Sequence, residues 1–217
     1  MKLDGELPHG WFVDDAGAEE VEQEAAVYGP FTESLRELVD LAIRSEVDLE
    51  EVREAHAAIE RVNERLRART IPGAYGVRIG QEYGARNWGN AIIGLRNAIA
   101  PPLHIETDAD GRAWCDFRLG AAYEGPPGLV HGGVTALVLD HVCGAAAGVD
   151  RRPRFTGTLT LRYRRETPLG ELHAEAHVDR TEGRKTFVVG HLADAEGPTV
   201  EVEAIMILPR WAMTPDD

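Results

Sequence analysis

Cysteine is rare in this sequence, with only Cys115 and Cys143 among 217 residues. Both lie in apolar surroundings, and they lack the CxxC spacing that is typical of zinc and redox sites. Since an intracellular chain keeps such thiols reduced, we expect two core residues that form no disulfide. We expect no metal site and no redox cofactor.

Long apolar runs are missing as well. No stretch approaches the roughly 18 uncharged apolar residues that a membrane-spanning helix requires. Residues 1–10 do not have the basic and then apolar pattern of a signal peptide. We therefore expect a soluble, cytoplasmic protein.

Basic residues are outnumbered: 23 Lys and Arg stand against 37 Asp and Glu, which gives a formal net charge of −14. This charge argues against nucleic acid as a partner, because binding to phosphates requires a positive field. Residues 1–70 carry 18 acidic and 8 basic side chains, whereas residues 71–217 carry 19 and 15. Most of the acidic excess therefore belongs to the first third of the chain.

That first third has helical patterns. Residues 1–30 are predicted to be irregular, with a short helix around residues 19–27, and a further helix of about three turns is predicted to begin at Pro30. Asp48 can cap another helix, whose apolar residues recur at spacings of three and four. These residues are Val52, Ala55, Ile59, Val62 and Leu66. These residues form one apolar seam along the helix. The seam either packs on the chain's own domain or docks to another protein.

Three segments are predicted: an acidic helical N-terminal extension over residues 1–70, a connecting segment over 71–100 and a domain over 101–210. Residues 131–148 form the most apolar run of the chain, and it has the length of one helix. Alternating patterns predict strands at 103–106, 113–119, 155–165, 171–180, 186–193 and 199–208. An apolar helix followed by four antiparallel strands predicts an α+β fold, in which the sheet curls around the helix.

The helix opens with His131-Gly132-Gly133. Two glycines leave their N–H groups open to a ligand at the positive end of the helix dipole, which makes an oxyanion site. Asp140 follows nine residues after His131 in otherwise apolar helix, where burial of a carboxylate is costly without a partner or a task. Donors for an oxyanion and an acid that activates water, or itself attacks a carbonyl, are what acyl transfer to water needs. An ordinary glycine turn and an acid paired with an arginine are the structural alternatives.

The spacing of these groups has a consequence for assembly. Seven residues at about 1.5 Å each place the Gly133 amide and Asp140 roughly 10 Å apart on one helix. An aspartate side chain is too short to close that gap. If both act on one carbonyl, they come from different subunits, and the active unit is at least a homodimer with two equivalent sites. A dimer and a tetramer both satisfy this condition.

The segment Tyr123-Glu124-Gly125-Pro126-Pro127-Gly128-Leu129-Val130-His131-Gly132-Gly133, with Asp140 beyond it, resembles the PaaI-type hotdog-fold acyl-CoA thioesterases. The resemblance covers about residues 95–210. It implies an antiparallel sheet wrapped around a central helix, and hydrolysis of acyl-CoA to free acid and CoA. It implies that the Gly132 amide, helped by Gly133, polarises the thioester carbonyl. It also implies that Asp140 of the neighbouring subunit is the base or the nucleophile. His131 belongs to the catalytic motif, although its ring can equally bond the backbone.

The resemblance also implies roles for residues after the helix. Thr156, sixteen residues beyond Asp140, would hold the attacking water, or else it is an ordinary strand residue. Gly183-Arg184-Lys185 would bind the CoA phosphates, or else it is a solvated hairpin tip. One departure is Gly125, which stands where some members carry an asparagine that orients the thioester, and Glu124 is a candidate substitute.

Two other functions remain open. One is a hotdog dehydratase or hydratase that acts on acyl thioesters and uses His131 and Asp140 for proton removal. The other is a non-catalytic acyl-CoA-binding protein. Hydrolysis of a saturated acyl-CoA, which has no double bond or hydroxyl group, distinguishes the thioesterase from both.

Overall fold

A computed structural model of the chain describes residues 10–214. Residues 1–9 lie outside the described part, so the expectation that no signal peptide is present concerns residues on which the structure gives no information. The chain divides into two compact units, residues 1–100 and 101–217. None of the helices in the described part combines the length and the apolar character that a membrane crossing demands.

The first unit combines two helices with a small sheet. The sheet has the order β1-β2-β3, in which β1 and β2 are parallel and β2 and β3 are antiparallel. Its elements are β1 Trp11–Val13, α1 Ala18–Arg44, α2 Leu49–Arg67, β2 Val77–Gly80 and β3 Gly84–Arg86. The segment 71–100, predicted as a connection, thus contributes two strands to the same unit as the helices.

Helix α1 differs from the prediction of two separate helices, because it runs without a break through Pro30. A proline inside a helix removes one hydrogen bond and costs about 3 kcal/mol. Contacts on both sides of Pro30 offset this cost. Glu24 accepts a hydrogen bond from Arg86 at 2.8 Å, and Arg36 donates to the carbonyl oxygens of Asn97 and Ala100 at 3.1 and 3.0 Å.

Helix α2 begins where the sequence predicts. The Asp48 side chain caps it by accepting hydrogen bonds from the N–H groups of Glu50 and Glu51, both at 3.0 Å. The helix ends at Arg67. None of its residues is buried, so residues 10–214 leave the predicted apolar seam uncovered.

The second unit is one antiparallel sheet with a long helix on it. Its sheet has the order β4-β5-β7-β8-β9-β6, and α3 contacts the five strands from β5 to β6. The elements are β4 Glu106–Thr107, β5 Arg112–Leu119, α3 Gly132–Ala147, β6 Phe155–Tyr163, β7 Gly170–Glu182, β8 Lys185–Asp194 and β9 Gly197–Ile207. The predicted α+β hotdog fold, with a helix enclosed by a curled sheet, is therefore confirmed.

The core of this unit lies between α3 and the sheet. Val138, Leu139 and Val142 of α3 are fully buried. They meet small and branched side chains from the central strands, including Ala174, Ala176, Val188, Val200, Val202 and Ala204, all of which are buried. The helix therefore buries apolar side chains on the sheet, while Asp140 stays half-buried at the margin of this core.

Strand β6 forms one edge of the sheet, since its one sheet partner is β9. Leu159 and Leu161 are half-buried, as the alternation along this strand predicts. Tyr163, which alternation places on the same face of the strand, is instead 55% exposed. An edge strand has no neighbour to cover its end, which accounts for the difference.

Candidate functional site

The N-terminus of α3 has one amide N–H that is hydrogen-bonded within the chain and one that is not. His131 is the N-cap of the helix, and its Nδ1 accepts a hydrogen bond from the Gly133 N–H at 2.9 Å. Within residues 10–214, the Gly132 N–H donates to no acceptor. An uncommitted N–H at a helix N-terminus lies at the positive end of the helix dipole and suits a developing negative charge.

A residue of strand β6 contacts the first turn of this helix. The Tyr163 hydroxyl donates to the Gly132 carbonyl oxygen at 2.8 Å, and the Thr135 hydroxyl donates to the same oxygen at 2.7 Å. A Cβ atom on Gly132 would lie 3.3 Å from the Tyr163 oxygen. Glycine therefore allows the tyrosine to approach, and sequence reasoning missed Tyr163 because nothing in its local pattern indicates this contact.

Asp140 and Thr156, which were predicted separately, meet in the structure. The Thr156 hydroxyl donates to Asp140 Oδ1 at 2.7 Å. The two line a cavity of about 350 Å³, together with His141, Gly144, Arg154 and Met206 among others. A carboxylate anchored by one hydroxyl beside an open cavity keeps its second oxygen available for a proton or a carbon atom.

Along α3 the two halves of the site stay apart. The rise of 1.5 Å per residue separates the Gly132 amide from Asp140 by about 12 Å. Neither Gly132 nor Gly133 lines the cavity that contains Asp140. The structure thus brings Asp140 to Thr156, and it does not bring either of them to the His131-Gly132-Gly133 turn of the same chain.

The positive charges beside the cavity are compensated. Arg154, whose side chain is only 7% exposed, donates to Asp150 at 2.6 and 2.8 Å and to Thr186 at 3.0 Å. Arg152 adds a third hydrogen bond to Asp150 at 3.0 Å. These hydrogen bonds, above all those from Arg154, hold the pKa of the Asp150 carboxyl well below its usual range. Arg154 therefore stabilises the wall of the cavity by binding Asp150, and the pair adds little net positive charge to the cavity.

Two further groups near Asp140 are affected by burial. Burial lowers the pKa of His141, while the charge of Asp140 opposes that shift. Burial raises the pKa of the Cys143 thiol to about 12, and the same cause raises that of Cys115 to about 12. Both cysteines are free and buried, so their thiols stay protonated and are poor nucleophiles near neutral pH.

The loop before the helix explains the departure at Gly125. A Cβ atom on Gly125 would lie 2.7 Å from the Cα atom of His131, so an asparagine does not fit there unless the backbone moves. Glu124, suggested as its substitute, instead accepts a hydrogen bond from the Gly128 N–H at 2.7 Å. Its contact is with the loop itself.

The predicted phosphate-binding residues lie at the tip of the β7–β8 hairpin. Gly183 has a φ of 52°, a conformation that favours glycine. Arg184 Nε donates to the Leu208 carbonyl oxygen at 2.9 Å, and Lys185 is exposed. Lys185 pairs with Ile207, which pairs in turn with Phe155 beside Thr156. The spacing of about 4.8 Å between strands therefore puts Lys185 roughly 10 Å from the edge of the cavity.

Two arginines that follow strand β6 are engaged in ion pairs. Arg164 pairs with Glu201 at 2.6 Å, and Arg165 donates to Asp194 at 2.7 Å. Charges that are matched in this way attract a phosphate weakly. The exposed Lys185 is therefore better placed for that task than either arginine.

Comparison with known proteins agrees with the fold. Residues 127–201, which hold the helix, Asp140 and Thr156, match the family model described as the thioesterase superfamily. A solved structure of a thioesterase superfamily protein superposes with a TM-score of 0.72 at 29% identity. The alignment covers 83% of this chain and 90% of that one.

Curated relatives match a smaller part of the chain. Acyl-coenzyme A thioesterase THEM4 of Xenopus laevis is 34% identical over 97 residues, which is 44% of this chain and 44% of that protein. The Bos taurus THEM4 is 31% identical over 101 residues, 46% of this chain and 41% of that protein. The chain thus spans less than half the length of these relatives.

The fold and the arrangement of the site define a hotdog-fold protein with a helix-borne acid. Residues 127–201 are similar in sequence to the thioesterase superfamily, and the chain shares its fold with a solved thioesterase superfamily protein.

Proposed function

We propose that this protein hydrolyses acyl-CoA thioesters to a free carboxylic acid and CoA. The hydrogen bond of 2.7 Å from the Thr156 hydroxyl to Asp140 Oδ1, at the wall of an open cavity, carries this proposal. The names of the curated relatives, which are acyl-coenzyme A thioesterases, support the substrate class. The chemistry needs no metal or redox cofactor, because an acid, an oxyanion donor and water are sufficient.

Asp140 acts as the general base or the nucleophile. In the first case, the second carboxylate oxygen takes a proton from a water molecule as the water attacks the thioester carbonyl. The Thr156 hydroxyl gives its hydrogen to Asp140 and keeps lone pairs that accept a hydrogen bond from the same water. The C–S bond of the tetrahedral intermediate then breaks, and CoA leaves with the proton that Asp140 took from the water. In the second case, Asp140 attacks the carbonyl carbon, the C–S bond breaks and CoA leaves as the thiolate. Water then hydrolyses the resulting anhydride to the free acid and the Asp140 carboxylate.

The Gly132 N–H of the neighbouring subunit stabilises the oxyanion. Its amide is the open donor at the start of α3, whereas the Gly133 amide is bonded to His131 Nδ1. His131 therefore fixes the turn and leaves the donation to Gly132. It is also unsuited to proton removal with Asp140 of its own chain, from which nine residues of helix separate it.

Strand β6 is the surface through which two subunits would meet. It lies at the edge of the sheet. Thr156 at one end of the strand bonds Asp140, and Tyr163 at the other end bonds Gly132. Phe155 and Tyr163 are 56% and 55% exposed. Antiparallel pairing of β6 with its own copy would bring the Thr156 end of one strand to the Tyr163 end of the other. A two-fold dimer would then assemble two complete sites.

The CoA portion would extend toward the β7–β8 hairpin. Lys185 and the unoccupied nitrogens of Arg184 would bond the phosphate oxygens there, with Gly183 allowing the tight turn. The cytoplasmic location expected from the sequence belongs to this proposal too, and cell fractionation would test it.

The proposal is tested by thiol release from saturated acyl-CoAs of short, long and aromatic acyl groups. Asp140→Asn removes the base while keeping the shape, so kcat/KM is expected to fall by about 10²- to 10⁴-fold. Asp110→Asn, a change of the same kind in an exposed turn, is the matched control and should keep wild-type activity. The protein's own cysteines are protonated and buried, so they add no background thiol signal while the protein is folded.

Each alternative has its own result. A dehydratase or hydratase would release no thiol from a saturated chain and would instead act on enoyl or hydroxyacyl thioesters. A binding protein would bind acyl-CoA without turnover. Unchanged hydrolysis by Asp140→Asn would place the chemistry at a different group.

A further inference from the structure

Helix α2 has an apolar face that no part of the described chain covers. It is 19 residues long and contains no buried residue. Val52, Val62 and Leu66 of its seam are 49%, 41% and 51% exposed, and Ile59 is half-buried. Because helix stability in water comes mostly from packing of an apolar face, a long helix with an open seam calls for a second surface.

The charges on α2 indicate which surface fits. Its first half, residues 49–58, carries Glu50, Glu51 and Glu54 against Arg53. The following stretch, residues 59–69, carries Arg61, Arg65, Arg67 and Arg69 against Glu60 and Glu64. One half is therefore acidic and the other basic, so the helix is complementary to an antiparallel copy of itself.

The spacing of the seam fits the same arrangement. A two-fold axis at Ile59 would place Val52 opposite Leu66 of the partner subunit and Ala55 close to Val62 of the partner subunit. Every apolar residue of the seam then meets an apolar residue, with Ile59 beside its own copy. Two apolar seams of this length can therefore pack along each other in antiparallel orientation.

The flanking charges distinguish antiparallel from parallel pairing. Glu51 precedes the seam residue Val52, and Arg65 precedes Leu66, so they occupy equivalent flanking positions. Antiparallel pairing brings Glu51 beside Arg65 of the partner subunit, and symmetry makes two such ion pairs. Within the described residues, neither side chain forms an ion pair of its own, whereas Arg53 and Arg67 pair with Glu50 and Glu60.

We propose that α2 is a self-association element that binds α2 of a second copy of this chain in antiparallel orientation around Ile59. The contact is separate from the β6 edge, and it does not rest on the proposed hydrolysis. If both contacts form between different pairs of chains, the assembly is a tetramer. If both form in one pair, α2 reinforces the dimer.

Cysteine cross-linking in the full-length protein tests the orientation directly. Ile59→Cys should form an oxidised dimer rapidly, because the two copies meet at the axis within the distance of about 4.4–6.8 Å between Cα atoms that a disulfide requires. Leu66→Cys should not link to itself, since antiparallel pairing separates its copies by about 20 Å. A mixture of Val52→Cys and Leu66→Cys chains should give the mixed dimer.

Ala57→Cys, on the opposite side of the same helix, is the control for random collision. Native Cys115 and Cys143 do not interfere, because burial raises the pKa of both thiols to about 12. The proposal is wrong if Ile59→Cys links no faster than Ala57→Cys. Rapid self-linking of Leu66→Cys would overturn the antiparallel orientation.

A charge exchange gives a second readout. Glu51→Arg and Arg65→Glu should each shift the assembly toward lower mass in light scattering, and the double variant should restore the wild-type mass. Thiol release should continue in all three, because α2 holds no part of the site proposed above. Loss of hydrolysis with normal cross-linking would count against the proposed function, and normal hydrolysis without cross-linking would count against this inference.

Discussion

The hydroxyl of Thr156 is the feature whose contribution can be measured most directly. Thr156→Val keeps the shape of the side chain and removes the hydrogen bond to Asp140 Oδ1. A hydrogen bond to a charged group is worth about 1.5–3 kcal/mol, so we expect kcat/KM for a saturated acyl-CoA to fall by roughly 10- to 100-fold. Steady-state kinetics measures this change, and circular dichroism checks that the fold is retained.

Thr156→Ser is the matched variant, since it retains the donor and loses only a methyl group. It should stay within a few-fold of wild type. Wild-type activity of both the valine and the serine variant would mean that Thr156 has only a structural role in its strand. Equal loss in both would indicate that the methyl group, and not the hydroxyl, matters.

Single residues of the site were predictable where spacing carries the signal. The motif and the interval to Asp140 and Thr156 can be read along the chain, and the structure brings that acid and that hydroxyl together. Tyr163 was not predictable, because its bond to Gly132 joins residues 31 positions apart. The roles of Gly125 and Glu124 also required the folded loop, where the backbone of His131 fills the space that a side chain would need.

Helix α1 offers a test at the scale of one element. Pro30 leaves the Ala26 carbonyl without its usual donor inside the helix, and alanine at this position would restore that bond. Pro30→Ala should therefore raise the free energy of unfolding of the first unit by about 1–3 kcal/mol. Urea unfolding followed by circular dichroism measures the change.

Val27→Ala, on the exposed surface of the same helix, serves as the reference and should change stability by less than about 0.5 kcal/mol. A lower stability of Pro30→Ala would mean that the path of α1 depends on the proline. The hydrogen bonds of Glu24 and Arg36 would then be the contacts that the substitution disturbs.

Elements of the second unit were predictable because their patterns are long. Helix α3 and the strands β6 to β9 follow alternation and turn residues closely, and their bounds differ from the predicted ones by a few residues. The strands β1 to β3 have three or four residues each, which is too short for alternation to be detected. The continuity of α1 was also missed, because it depends on partners such as Arg86, 62 residues away from Glu24.

At the scale of the whole molecule, the proposed site requires two chains, and this can be tested by complementation. Asp140→Asn removes the acid, and Gly132→Pro removes the amide donor at the first helical position, where the backbone suits proline and the Tyr163 side chain must shift by a few tenths of an ångström. Each homodimer should be inactive. In a mixed dimer one site carries both changes and the other carries neither, so the purified heterodimer should recover about half of the wild-type activity.

Coexpression with two different affinity tags provides the heterodimer, and a doubly changed chain paired with a wild-type chain is the control. That control should be nearly inactive, because each of its sites lacks one group. If the heterodimer of single variants is as inactive as its parents, the acid and the amide do not come from different chains.

A rigid helix that carries both halves of the proposed catalytic pair, about 12 Å apart, has a consequence for how turnover would respond to protein abundance. A lone chain would possess each half and be unable to use either. Below the dissociation constant of the pair, the rate per cell would rise with the square of expression, so a twofold change in abundance would change turnover about fourfold.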